Sequence, residues 1–174
     1  MSKAIMLSIR PKWCEKIVNG NKTIEVRKTR PKMNTPFKCY IYCTLQGCTE
    51  FFRVDPGRDV AKWNRGKWAD RKGKVIGEFT CDRIYELAPL NHAPDDTEKQ
   101  ACLTREEIVN YLKGTGYGWH ITDLRIYDAL KCLFEFWAER LCRREPSVFG
   151  CGECCDCDKR APQSWCYVLE DYHA

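Results

Sequence analysis

Short runs of alternating apolar and polar residues, broken by one stretch of helical period, dominate the first quarter of the chain. Ala4 to Ile9 reads as a first strand. Arg10-Pro11 then opens a helix running to Asn19, with Trp13, Ile17 and Val18 on its apolar face and Lys12, Glu15 and Lys16 on the other; proline suits a first helical turn. Gly20 closes it, because glycine takes the left-handed C-terminal position without a Cβ penalty. A second strand follows, in which Ile24 and Val26 point to one side and Thr23, Glu25 and Arg27 to the other, with Lys22 at its mouth.

Phe37 to Thr44 has the aromatic and β-branched content of a third strand; Tyr40 and Tyr42 share one side, and Cys39, Ile41 and Cys43 the other. Residues 45–73 are rich in Gly, Asp and Arg and read as an insertion loop. In it Trp63 and Trp68 frame Asn64-Arg65-Gly66-Lys67, a pattern that fits either base stacking with phosphate pairing or two indoles packed over the core. Lys74 to Leu87 reads as one long strand bent at Gly77, and 88–103 as a polar loop. Thr104-Arg105-Glu106-Glu107 is a capping box opening a helix to Gly114. A strand from Trp119 to Tyr127 comes next, placing Trp119, Ile121, Asp123, Arg125 and Tyr127 on one side. Leu130 to Cys142 reads as a helix or an irregular apolar segment, and Ser164 to Leu169 as the last strand.

With 174 residues, 44% of them hydrophobic, the chain can bury one sizeable core, so a single domain over 1–174 is expected. No apolar run approaches membrane-spanning length and Met1-Ser2-Lys3-Ala4 leads straight into a strand, which points to a cytoplasmic protein with no membrane partner. Charge is unevenly spread: residues 1–75 hold 18 Lys/Arg against 6 Asp/Glu, and the remainder 11 against 18. A basic half attracts polyanions, which makes nucleic acid the first partner to consider, although a solvated surface has the same composition.

Thirteen cysteines are too many to ignore, but Cys14, Cys39, Cys43, Cys81, Cys132 and Cys166 lie singly among apolar residues, as reduced thiols do in a core. The exception is a cysteine-rich loop, 142–160. Cys151-x-x-Cys154 and Cys154-x-x-Cys157 have the spacing that lets thiolates meet on a tetrahedral ion, and Cys142 supplies a fourth ligand. The reading is a structural zinc on Cys142, Cys151, Cys154 and Cys157, with Cys155 able to replace a neighbour; a disulfide or a set of free thiols is the alternative.

Gly20, Lys22, Glu25 and Arg27 also form a G-x-K-x-x-E-x-R pattern that resembles the signature of the ASCH domain, a branch of the PUA-like superfamily. Leu7-Ser8-Ile9-Arg10-Pro11 and Pro162-Gln163-Ser164-Trp165-Cys166-Tyr167-Val168 resemble the two ends of phage and bacterial ASCH proteins, so the resemblance runs nearly end to end. It implies an α+β fold: a PUA-like mixed β-barrel of about five or six strands with two or three flanking helices. It further implies a cleft where Lys22, Glu25 and Arg27 face a nucleotide or RNA, joined by Ser8 and Arg10, Trp119 and His120, and Gln163, Ser164 and Trp165.

Lysine suits phosphate as a point charge, arginine as a bidentate donor, and a tryptophan stacks on a base. The plainer alternative is a Glu25–Arg27 ion pair that only fixes the strand, with the tryptophans packed in the core. One bacterial branch of the family is an amidohydrolase acting on N4-acetylcytidine through a lysine, a threonine three positions later and a glutamate. Lys22 matches the lysine, but Glu25 occupies the threonine position, and Glu98 falls only near the region of the glutamate. Catalysis by Lys22 with Glu25 is therefore the second reading, after binding of RNA, another single-stranded nucleic acid or a modified nucleoside. A zinc-stapled protein-interaction module is the third.

Overall fold

The computed structural model describes residues 3–44, 73–87, 93–136 and 161–169. Its central strand is β1 (Lys3–Ile9), buried on both faces: Ile5, Leu7 and Ile9 enter one apolar cluster and Ala4 and Met6 a second, all at 0% exposure. α1 (Pro11–Val18) follows and ends where Gly20 takes φ 67°, with the backbone N–H groups of Asn21 and Lys22 both donating to Lys16 O, at 2.8 and 3.0 Å. That turn aims the chain into β2 (Ile24–Arg27). The remaining elements are β3 (Phe37–Cys43), β4 (Lys74–Cys81), β5 (Ile84–Glu86), α2 (Thr97–Ala101), α3 (Arg105–Leu112), β6 (Tyr117–His120), β7 (Thr122–Cys132), a 3-10 turn over Leu133–Phe136, and β8 (Trp165–Leu169).

Five strands form one sheet in the order β7-β4-β3-β1-β8, in which β1 and β3 are parallel and the other pairs antiparallel. The other three form an antiparallel sheet, β2-β6-β5. The α+β class is as expected, and the described residues hold eight strands in two sheets where a mixed barrel of about five or six was expected. Two corners account for the difference. The expected long strand 74–87 breaks at Asp82-Arg83, where the N–H of His120 donates to Arg83 O at 2.9 Å, so β4 and β5 pair in different sheets.

The expected strand from Trp119 to Tyr127 breaks likewise at Ile121, whose N–H goes to Thr23 O, and Asp123 adopts φ 48°. This residue out of extended geometry reverses the alternation: Leu124 and Ile126 pack on the cluster of Trp119, whereas Tyr127 joins the other.

Two further expectations change. The polar loop 88–103 contains α2, and the apolar segment from Leu130 begins as the end of β7. The capping box forms as read: Thr104 Oγ1 accepts from the Glu107 N–H and the Glu107 carboxylate accepts from the Thr104 N–H. No helix among the described residues is long and apolar enough to cross a membrane. The insertion loop from 45 to 72, with Trp63 and Trp68, lies outside the described residues, as do Cys142, Cys151, Cys154, Cys155 and Cys157.

β2 is the element that the fold places most tightly. Ile24 and Val26 pack with Leu87, Ala101, Ile108 and Leu112, beneath α2 and α3. The opposite face, carrying Glu25 and Arg27, turns toward the end of β1 and the segment leading into β8. Both faces are therefore covered, and every residue of the strand is buried.

Candidate functional site

The expected open cleft is replaced by a buried charge network. Lys22, Glu25 and Arg27 are 2%, 6% and 6% exposed. Glu25 bridges the two cations, with Oε2 3.4 Å from Lys22 Nζ and Oε1 2.9 Å from Arg27 Nη2. A charge out of water needs pairing as well as hydrogen bonds, and each cation has both. Lys22 Nζ donates to Ala101 O at 2.7 Å and stands 5.1 Å over the Trp13 ring. Arg27 Nη2 donates to Ser8 O at 2.8 Å, while Nη1 donates to both the carbonyl and the hydroxyl of Ser164 at 3.2 Å. The hydroxyl of Ser8 donates to Pro162 O at 2.5 Å, which ties the end of β1 to the same segment.

Two cations share one carboxylate, so the network carries one net positive charge in the interior. It also leaves donors over. Arg27 Nε and, on the neighbouring strand, Trp119 Nε1 are buried without a hydrogen-bond partner among the described residues. Trp119 lies directly opposite Glu25 in the β2–β6 register, and Tyr117 opposite Arg27, so these side chains occupy one face of the sheet. Each unmet buried donor costs about 1–3 kcal/mol, which makes an acceptor at this face favourable. Cys14 borders the network: burial first, then the Cys43 thiol and the Glu25 carboxylate push its ionisation well above the ordinary thiol value, and Arg27 works the other way.

Aromatic rings run outward from this face. Trp119, at 0% exposure, meets Phe37 edge-on at 5.8 Å and Trp165 at 5.9 Å; Trp165 meets Tyr167 edge-on at 5.5 Å. Trp165 Nε1 donates to Thr29 Oγ1 at 3.0 Å, which pins the turn after β2 to β8.

Of the residues proposed from sequence, Ser8, Lys22, Glu25, Arg27, Trp119, Ser164 and Trp165 come together here. Three do not join them. Arg10 is exposed at the start of α1, where its carbonyl accepts from the Trp13 and Cys14 N–H groups. Gln163 is exposed. His120 is opposite Ile24 in the β2–β6 register, on the far side of β6 from Trp119, and its Nδ1 bonds Asp82 Oδ1 at 2.7 Å.

Glu98, the loosely placed acid, is also elsewhere: it sits on an exposed surface, paired with Arg105 at 3.1 Å. The sequence reading missed Ala101 O, which has no side-chain signature, and Thr29, Tyr117 and Tyr167. The last three lie in the basic turn or at alternate strand positions where their aromatic or hydroxyl character was the available signal.

Residues 7–69 match the ASCH domain family. No curated protein matches the chain. Among solved structures, the crystal structure of ASCH from Zymomonas mobilis superposes with a TM-score of 0.57 at 16% identity, over 97% of this chain and 90% of that one. Two structures of mutant proteins of the same Zymomonas mobilis ASCH give 0.59 at 17% identity, over 97% and 89%, and 0.56 at 16%, over 98% and 93%. At these identities the likeness concerns the fold alone.

Proposed function

We propose that the chain, whose residues 7–69 match the ASCH domain family and whose fold is similar to that of solved ASCH structures, is a nucleic-acid or modified-nucleotide binding module. ASCH domains are PUA-like modules generally linked to RNA binding. One observation supports the narrower reading. Arg27 Nε and Trp119 Nε1, both buried and both without an acceptor among the described residues, stand on one face beside a network with one positive charge in excess. Nucleobase edges offer planar carbonyl and ring-nitrogen acceptors, and phosphate offers the charge. Ser164 covers this face, and its contacts to Arg27 Nη1 at 3.2 Å are the longest of that guanidinium's hydrogen bonds.

The hydrolase reading is the less favoured one. A general base needs an available lone pair directed at substrate. Lys22 Nζ is instead directed at Ala101 O and Glu25, under Trp13. The zinc on Cys142, Cys151, Cys154 and Cys157 stands as a structural proposal from spacing alone; metal analysis of protein purified without chelator should then return about one zinc per chain.

Calorimetric titration with the four nucleoside monophosphates, N4-acetylcytidine and short single-stranded RNA and DNA at low salt tests the binding reading. Saturable binding of at least one of them is expected, weakened about tenfold in Trp119→Phe, which keeps a ring and removes the N–H. Wild-type protein that binds none of these probes is the result that ends it.

A further inference from the structure

The turn after β2 carries a second, exposed arrangement of charge and rings. Lys28, Arg30 and Lys32 are exposed, and none of them pairs with a carboxylate among the described residues. Lys28 and Arg30 are set on aromatic rings instead, and Lys32 is held beside a third through its backbone. Lys28 Nζ lies 5.4 Å over the Tyr111 ring of α3, and Arg30 Cζ 5.7 Å over the Tyr117 ring of β6. The Lys32 N–H donates to Tyr167 Oη at 2.8 Å, and Lys3 Nζ approaches the same ring to 5.8 Å. Tyr111 and Tyr167 are 45% and 42% exposed, two of only three large apolar side chains so exposed among the described residues.

Four cations from Lys3 to Lys32 and two open aromatic rings thus share one surface, brought there by β1, the 28–32 turn, α3 and β8. The aromatic series Trp119–Trp165–Tyr167 joins this surface to the buried face carrying Glu25 and Arg27.

We propose that this basic-aromatic surface is a binding track for single-stranded nucleic acid, with phosphates on Lys3, Lys28, Arg30 and Lys32 and bases stacked on Tyr111 and Tyr167. Unpaired cations call for an anion, and the exposed ring faces call for a flat apolar partner. A single strand alternates the two, whereas a duplex hides its base faces. The track rests on the nucleic-acid reading above, but it is a different set of residues, on the surface, and owes nothing to Lys22, Glu25 or Trp119.

Fluorescence anisotropy with labelled 12-mer single-stranded RNA, the matching DNA and a hairpin duplex, at 50 and 200 mM salt, tests it on the full chain. Lys28→Ala/Arg30→Ala should weaken single-strand binding and flatten its salt slope by about 1.4, from about 0.7 per phosphate contact. Tyr111→Ala/Tyr167→Ala should weaken it about 30-fold or more with the slope kept, from about 1 kcal/mol or more per stacked base, and the duplex should bind less well than either strand. All these positions are exposed, so a thermal melt near wild type shows that each variant is folded. Wild-type affinity and slope in both variants, with wild-type protein binding RNA, overturn the track and leave the module reading standing. A wild-type chain that binds no strand at 50 mM salt also overturns the track, and the module reading falls with it only when the mononucleotides and N4-acetylcytidine fail to bind as well.

Discussion

Glu25 Oε1 and Arg27 Nη2 meet at 2.9 Å in the interior of the protein, two residues apart on a strand that has no solvent-facing side. The acid is the keystone, since among the described residues it alone balances Lys22 as well as Arg27. Glu25→Gln keeps the shape and removes the charge, which leaves two buried cations without compensation. The expected cost is about 3–5 kcal/mol of stability by urea denaturation. Glu98→Gln, at an exposed pair with Arg105, should cost under about 1 kcal/mol. Similar losses in the two variants would show that the buried network is not what holds β2 in place.

Lys22 also fastens a helix. Its ammonium donates to Ala101 O, and beside it Thr23 Oγ1 donates to Gln100 Oε1 while the Thr23 N–H donates to Gln100 O, so the whole C-terminal end of α2 hangs on two consecutive residues of the chain entering β2. α2 has only five residues and little stability of its own. Lys22→Met removes the anchor without adding a polar group. Faster amide exchange at Leu103 and Cys102, whose N–H groups close that helix, is expected, with exchange in β1 and β3 slowed or raised only as global stability changes. Unchanged exchange at 102–103 would disprove the anchoring role.

What was legible in the sequence is what is local. The capping box from Thr104 to Glu107 and the glycine turn at Gly20 are read correctly because their partners lie within six residues. The alternation in β2 correctly separates Ile24 and Val26 from Glu25 and Arg27, yet it misleads about solvent. Periodicity says which residues share a face, and not what covers that face. Here the cover is Ser164, 137 positions from Arg27, together with the carbonyl of Ser8. The corner at Asp82-Arg83 is hidden for the same reason: it depends on a hydrogen bond from the distant N–H of His120. His120 enters the expected cleft only through the family resemblance, whereas the alternation along the strand already sets it on the opposite side from Trp119.

Gly77 gives a prediction about packing between strands. It lies in β4 where the pairing with β7 shifts register, and a Cβ there would stand 2.5 Å from Arg125 O. A carbonyl in a strand cannot rotate away as a side chain can, so the two strands must separate. Gly77→Ala should cost about 1–3 kcal/mol, measured as a fall in the urea midpoint at constant slope, even though alanine is the smallest change available. A stability equal to wild type would mean that the β4–β7 contact yields without cost.

Buried thiols set the alkaline limit of stability. Cys81 is fully buried and its thiol is pushed up to about 12, chiefly by burial, with Asp82 adding to the rise and hydrogen bonding with the Arg83 and His120 backbone opposing it. Burial pushes the partly exposed Cys166 up to about 11, and Cys14 and Cys39 also rise, burial being the first cause in each. Because the folded value lies above the ordinary 9.0, the folded chain keeps a proton that the unfolded chain releases.

The stabilisation is therefore complete below about pH 9 and is lost as pH climbs toward 11–12, by about 1.4 kcal/mol per pH unit for a fully buried thiol such as Cys81 and by less for Cys166. Urea midpoints measured under reducing conditions should be level from pH 7 to 8 and fall steeply from 9 to 11. Cys81→Ala should flatten that fall by about one proton's worth of slope. A midpoint that stays constant through pH 11, or a Cys81→Ala profile parallel to wild type, contradicts the assignment.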